Sequence, residues 1–166
     1  MVNLPKLQPY VLRFCTYLSP VGTLVIGEDD AGITLIEFSD ETTEYPVPEN
    51  SRYLESAAEQ LREYFAGNRK EFDLPLSLHG TDFQKLVWDA LRQIPYGSYA
   101  SYQDIAIAVG NRNSTRAVGM ANNRNPVVIV IPCHRVIGKD GSLTGYGGGL
   151  DKKKYLLNLE GIGYKE

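Results

Sequence analysis

The stretch Val127-Val128-Ile129-Val130-Ile131-Pro132-Cys133-His134-Arg135-Val136 sets the frame for the rest of the chain. Five consecutive β-branched apolar residues predict a buried strand. Pro132 stops it, because proline lacks a ladder N–H and restricts the residue before it. A thiol, an imidazole and a guanidinium follow at once. A soft nucleophile at the mouth of a core element, with proton-handling and cationic groups beside it, is how a reactive site is built. The plainer alternative is that Cys133 is a small buried hydrophobe, as most single cysteines are. Cationic neighbours favour a thiolate, yet consecutive strand residues face opposite ways. Sequence adjacency alone therefore does not establish contact.

Immediately upstream, Asn125-Pro126 breaks a helix that Ser114 caps and that runs to about residue 122. Before it, Ser101-Tyr102-Gln103-Asp104 is a capping box that opens a short helix, and Gly110 closes it. Two short helices around a glycine-containing turn predict a helix-turn-helix. Its second helix carries Arg116 and Arg124 and no acid, with Ala117, Gly119 and Ala121 small enough to let the backbone approach another surface. Many helical hairpins share that pattern without touching DNA. A longer helix begins at Thr81, shows Phe83, Leu86, Val87, Ala90, Leu91 and Ile94 on one face, and ends at Pro95-Tyr96-Gly97. Trp88 is expected to pack against the first half of the chain.

Downstream of Val136, residues 138–149 hold six glycines, at 138, 141, 145, 147, 148 and 149. They predict a close-approach loop forming a lid or pocket wall beside the nucleophile. A last helix over 150–160 carries Lys152-Lys153-Lys154, with Tyr155, Leu156 and Leu159 as its apolar face and Gly161 as its stop.

The first half reads differently. Residues 11–17, 23–27 and 33–38 alternate with turn signals and predict an antiparallel meander. Cys15 inside its first strand is explained by packing. Residues 39–50 are acidic and contain Pro46 and Pro48, so they predict a loop. Asn50 or Ser51 is expected to cap a helix with Leu54, Ala57, Ala58, Leu61 and Phe65 on one face, stopped by Gly67. Residues 71–79 predict a last extended stretch, with His79 an exposed loop histidine. The expected organisation is a small α/β domain over 1–80, an antiparallel sheet plus helix, and a mostly α helix-turn-helix domain over 81–166.

The 166 residues are 43% hydrophobic and 22% charged, ordinary for a soluble globular protein. The net charge of −3 hides an asymmetry. Residues 1–80 hold 6 Lys and Arg against 13 Asp and Glu, while 81–166 hold 11 against 7, so the second half is suited to a polyanion. No apolar run approaches the ~20 residues of a membrane helix, and residues 1–10 show no apolar leader core. Two cysteines without a Cys-x-x-Cys spacing argue against a disulfide scaffold and a zinc knuckle. A reducing, cytoplasmic setting is expected, with the protein on the nucleoid when bound to DNA.

The string Pro132-Cys133-His134-Arg135 resembles the active-site motif of the O6-alkylguanine-DNA alkyltransferases, the one-shot DNA repair proteins. Further strings match in order: Pro95-Tyr96-Gly97, Ser101-Tyr102-Gln103, Arg116-Ala117-Val118-Gly119, Asn125-Pro126, Gly148-Gly149-Leu150 and Leu159-Glu160-Gly161. The likeness is dense from about residue 83 to 161. It implies a ribonuclease-H-like first domain, a winged-helix-like second domain, and irreversible transfer of an alkyl group from O6-alkylguanine, and from O4-methylthymine, to Cys133.

It implies that His134 is the base, acting through a water, and that Glu160 orients it. Tyr102 is the donor to guanine and helps turn its phosphate. Asn125 is the hinge between recognition helix and active-site segment. Arg116 fills the gap left in the base stack, with Ser114, Ala117, Gly119 and Arg124 alongside it on the DNA. Val136, Gly147, Tyr146 and Arg135 line the pocket. The implied partner is double-stranded DNA carrying alkylated bases, gripped in the minor groove by a monomer, with no cofactor, metal or membrane.

The physics agrees. An alkyl carbon on a base edge inside a duplex is out of reach of a protein thiol, so the nucleotide must be flipped out. Flipping costs a few kcal/mol, which an inserted side chain offsets. This sequence departs from some relatives: Gly147 stands where they carry serine and Val128 where they carry proline, which leaves the range of alkyl sizes open. Cys15 and His79 cannot supply the zinc ligand set that certain relatives carry. Two other readings compete: a helix-turn-helix DNA-binding protein whose cysteine is structural, and a Cys–His hydrolase, for which no local protease signature is present.

Overall fold

In the computed structural model, residues 8–40 and 42–166 are described. Residues 1–7 of the N-terminal stretch, and Glu41 of the expected acidic loop, lie outside them. The chain divides into two compact units, one ending at His79 and the other running from Gly80 to Glu166.

The first unit is an antiparallel sheet in the order β1-β2-β3: β1 Arg13–Ser19, β2 Gly22–Glu28 and β3 Ile33–Ser39. Register places Cys15 opposite Ile26 and Ile26 opposite Ile36, so one row of buried apolar side chains crosses all three strands. The extended stretch after the helix joins the sheet where β3 begins. Ile33 N donates to Pro75 O at 2.8 Å, and Ser77 N donates to Ile33 O at 2.8 Å.

Helix α1, Leu54–Phe65, lays Leu54, Ala57, Leu61, Tyr64 and Phe65 against the sheet. Each fully buried leucine contributes about 2 kcal/mol. Its C-terminus has the geometry glycine permits: Gly67 has φ +80°, its N–H donates to Tyr64 O, and Asn68 N donates to Glu63 O. Its N-terminus corrects the sequence expectation. Neither Asn50 nor Ser51 caps it; Tyr53 holds the cap position with no side-chain cap bond. The buried carboxylate of Glu28, on β2, accepts from Arg52 N at 2.9 Å and Tyr53 N at 2.6 Å instead. An anion at a helix N-terminus is favoured by the exposed N–H groups and the dipole. Arg13 Nε, at 2.5 Å, balances the charge of Glu28. His79 is also less isolated than expected: its ring stacks on Tyr10 at 3.8 Å, and Nε2 lies 3.5 Å from Asp29 Oδ2.

The second unit packs α2 Asp82–Arg92, α3 Tyr102–Ala108 and α4 Thr115–Asn123 against one another. Thr81 caps α2 and Ser101 caps α3, both in full capping boxes. Gly110, at φ +88°, turns the chain from α3 towards α4, as a left-handed residue must. Ser114 occupies the cap position of α4, but its Oγ donates to Asn111 O at 2.6 Å and makes no cap bond. Trp88 Nε1 donates to Ala121 O at 3.0 Å, so the indole is anchored within the second unit.

The stretch 127–131 is not a strand. Val130 N donates to Val128 O at 2.9 Å around Ile129, whose φ is +75°. That is a γ-turn of the rare strained kind, in a β-branched residue. Val127, Ile129 and Ile131 are buried, so the apolar reading of the run holds while the ladder does not. The reason is Asn125. Its Nδ2 donates to Ile131 O at 2.6 Å and its Oδ1 accepts from Val127 N at 2.9 Å, so one side-chain amide takes the place of a neighbouring strand. A single 3-10 turn, Cys133–Arg135, follows. Helix α5, Leu150–Leu159, closes the unit. Leu157 of α5, Ile137 and Ile162 form a small cluster joined by Leu143 and Tyr164. The lysine run on α5 is not uniformly exposed, and its buried face differs from the expectation. That face is Lys153, Leu156 and Leu157, while Tyr155 is exposed.

Candidate active site

Cys133 opens the 3-10 turn directly after Pro132 and is 3% exposed. Burial pushes its thiol pKa up; the Asn125 amide, the charge of Lys153, a backbone N–H and the Tyr146 hydroxyl pull it back. At neutral pH the sulfur therefore rests as a thiol with polar partners already in place for its anion. Cys15 provides the contrast. Also free and buried, it is pushed up to about 12 by burial and by the nearby carboxylate of Glu28. Nothing among those influences favours its thiolate.

A resting thiol needs a base. His134 is fully buried, and burial lowers its pKa, so the ring is neutral. Its Nε2 lies 2.6 Å from Glu160 Oε2. A carboxylate only accepts, so Nε2 carries the proton and Nδ1 is the unprotonated nitrogen. Nδ1 is buried and has no hydrogen-bond partner among the described residues. Such an acceptor suits a proton taken directly or through one water.

Glu160 caps the end of α5 and is held by three residues, His134, Arg135 and Gly97. Arg135 Nε donates at 2.7 Å and Arg135 Nη2 at 3.2 Å, while Gly97 N donates at 3.2 Å. Arg135 Nη1 donates to Ile94 O at 2.7 Å, and the guanidinium lies 5.7 Å from the Tyr96 ring centroid. The Pro95-Tyr96-Gly97 turn thus fixes the carboxylate that fixes the imidazole. Arg135, an expected pocket residue, directs its donors at Glu160 and a backbone carbonyl.

The segment after the 3-10 turn pairs with the approach to α3. Ala100 N donates to Arg135 O at 3.0 Å and Ile137 N to Ala100 O at 2.9 Å. This brings Tyr102, the first residue of α3, into the neighbourhood of the segment that follows Cys133. The Tyr102 hydroxyl lies 2.5 Å from Thr144 Oγ1 in the glycine-rich strip. Gly147 is exposed in the same strip, and Val136 is fully buried.

Sequence reasoning missed Lys153. It is fully buried, donates to Val136 O at 2.7 Å and to Thr144 O at 3.4 Å, and desolvation lowers its pKa to about 8. Its position was legible: three residues before Leu156 and seven before Glu160, it shares their helix face. A run of three lysines concealed it. Thr144 had no signal of its own.

Helix α4 turns Val118, Ala121 and Asn122 inward. Thr115, Arg116, Ala117, Met120, Asn123 and Arg124 are exposed, and Ser114 and Gly119 are partly so. A Cβ on Gly119 would come 3.8 Å from the Tyr102 ring. The exposed side of α4 is therefore cationic, free of acids and close-fitting, as an interface with phosphates requires.

Comparison with known proteins agrees at both ends of the chain. A family described as 6-O-methylguanine DNA methyltransferase, ribonuclease-like domain, matches residues 12–78, and 6-O-methylguanine DNA methyltransferase, DNA binding domain, matches residues 82–162. A methylated-DNA–protein-cysteine methyltransferase of Methanosarcina acetivorans is 47% identical over 154 residues, covering 90% of this chain and 99% of its own. The constitutive methylated-DNA–protein-cysteine methyltransferase of Bacillus subtilis is 48% identical over 161 residues, covering 92% and 98%. The crystal structure of Mycobacterium tuberculosis O6-methylguanine methyltransferase superposes with a TM-score of 0.80 at 44% identity, over 90% of this chain and 92% of that one. A structure of the Mycobacterium tuberculosis protein in complex with DNA gives 0.78 at 43% identity, over 88% and 91%. No helix among the described residues is long and apolar enough to cross a membrane. With both units matched and relatives nearly half identical along almost their whole length, the chain belongs to the 6-O-methylguanine-DNA methyltransferase family.

Proposed function

We propose that this protein repairs alkylated DNA by direct reversal, moving the alkyl group of O6-alkylguanine, and of O4-methylthymine, irreversibly onto Cys133. The carrying observation is the thiol itself. It is buried, yet Asn125, Lys153 and Tyr146 all favour its anion, and the next residue is a neutral imidazole with a bare buried Nδ1. A merely structural cysteine would have no use for that company.

His134 takes the thiol proton as sulfur attacks the sp³ carbon, and Glu160 orients the imidazole and stabilises it as it becomes charged. Tyr102 supplies a proton to the departing guanine, whose leaving oxygen would otherwise carry the charge. Asn125 ties the end of α4 to the nucleophile turn. Val136, Tyr146 and Gly147 line the base pocket, and Arg135 stands behind it holding Glu160. Arg116 fills the stack vacated by the flipped nucleotide, while Ser114, Ala117, Gly119 and Arg124 seat α4 in the minor groove. The degenerate hydrogen-bond pattern there suits a protein that must act at any sequence. The protein acts as a monomer.

The test is intact-mass and peptide mass spectrometry after mixing with duplex DNA containing O6-methylguanine. The expected result is one methyl group per protein molecule, on Cys133 and not Cys15. Repair without protein labelling, or continued turnover, overturns the reading.

A further inference from the structure

Thr144 lies in a glycine-rich strip, yet its hydroxyl and its carbonyl are both engaged, one by Tyr102 and the other by Lys153. Its Oγ1 lies 2.5 Å from the Tyr102 hydroxyl, and its carbonyl accepts from the buried Lys153 at 3.4 Å. Two residues on, the buried Tyr146 hydroxyl is one of the groups that pull the Cys133 pKa down. Tyr102 begins α3, where the reciprocal Ser101–Asp104 cap fixes its backbone.

A phenol has one proton to give and lone pairs to receive. If Tyr102 donated to Thr144, that proton would be turned away from a substrate. If Thr144 donates to Tyr102, the phenolic proton stays free, the torsion of the O–H is set, and a donor is in place for the charge left on oxygen when the proton departs. We infer that Thr144 is a positioning residue for alkyl transfer, its hydroxyl donating to the Tyr102 oxygen so that the phenolic proton is aimed at the guanine and the resulting tyrosinate is stabilised. The inference rests on the reading of Tyr102 as proton donor given above.

The step balances. The sulfur–carbon bond forms and the carbon–O6 bond breaks, its electron pair leaving with the guanine. The thiol proton goes to His134 Nδ1, and the Tyr102 proton goes to the guanine. Tyr102 then regains a proton from water and His134 loses one to it. Thr144 keeps its own proton throughout, contributing only a hydrogen bond.

The test compares two electrophiles on the full chain. Transfer from O6-methylguanine in duplex DNA needs a proton for its leaving group; iodomethane does not, because iodide leaves as a stable anion. Thr144→Val should slow single-turnover transfer from the DNA roughly five- to tenfold, the size of one neutral hydrogen bond. Thr144→Ser should restore it. The rate at which iodomethane alkylates Cys133 should be unchanged in both variants, and Thr144→Val should add nothing in a Tyr102→Phe background. A Thr144→Val protein at wild-type speed beside a slow Tyr102→Phe protein overturns the inference alone. Equal slowing with both electrophiles also overturns it, since it assigns Thr144 to packing of the strip. A Tyr102→Phe protein at wild-type speed overturns the reading of Tyr102 as well.

Discussion

Replacing Lys153 by methionine separates what a buried charge costs the fold from what it does for the thiol. Methionine matches the stem in length and fills the same space. The ammonium pKa falls from 10.5 to about 8 on folding, which corresponds to a cost of about 3 kcal/mol to the folded state. Below pH 8 the lysine is protonated folded and unfolded, and the cost is present in full. Between pH 8 and 10.5 the unfolded chain holds a proton the folded chain has released, so this contribution makes stability rise with pH. Methionine removes that cost but leaves Val136 O without its donor at 2.7 Å, a loss of about 1–3 kcal/mol. At pH 7 the two nearly cancel, and Lys153→Met should unfold in urea within about 2 kcal/mol of wild type. At pH 10 only about 0.8 kcal/mol of the relief is left, and the variant should be the less stable by up to about 2 kcal/mol. The thiol tells the other half. The Lys153 charge holds the Cys133 pKa down, and losing it should slow single-turnover methyl transfer at pH 7 by about tenfold. Urea midpoints at the two pH values, with quenched transfer kinetics, measure both. A variant that transfers at the wild-type rate and is destabilised by more than about 4 kcal/mol at pH 7 would refute the argument.

Glu160→Gln should leave Arg135 buried without its anion, lowering stability by about 3–5 kcal/mol and transfer by about a hundredfold. Adding Arg135→Met should recover much of the melting temperature and none of the rate. Asn125→Ala removes the bonds to Ile131 O and Val127 N and should cost about 3 kcal/mol in urea unfolding, with slower transfer because the thiolate also loses a donor. Arg116→Ala lies on an exposed face and should alter stability by less than about 0.5 kcal/mol. It should nonetheless cripple repair of duplex DNA while sparing reaction with free O6-methylguanine; equal loss on both would assign Arg116 to the chemistry rather than the flip.

The elements that were legible are those written in local chemistry. The Thr81 and Ser101 capping boxes, the Gly67 stop and the three-strand meander are short-range patterns, and each is present. What was not legible involves distant partners. The cap of α1 comes from Glu28, more than twenty residues upstream, and no local rule finds it. The run 127–131 has the composition of a strand, but strand formation needs a neighbour, and Asn125 satisfies the backbone first. His134 and Glu160 were paired only through family likeness, and their contact is a tertiary fact. Lys153 was hidden because a lysine run suggests solvent, while the helix phase that buries it is shared with Leu156 and Glu160.

The carboxylate of Glu160 has a consequence for synthesis. It joins residues 97, 134 and 135 from the far end of the last helix, so the His134 imidazole has no carboxylate partner until that helix has docked. A chain made from its N-terminus exposes the sulfur first and completes the proton acceptor afterwards. Until then Cys133 is an ordinary exposed thiol, a few per cent ionised at neutral pH, and the His134 imidazole is not yet oriented to help it. The protein becomes usable only when the whole second unit has closed.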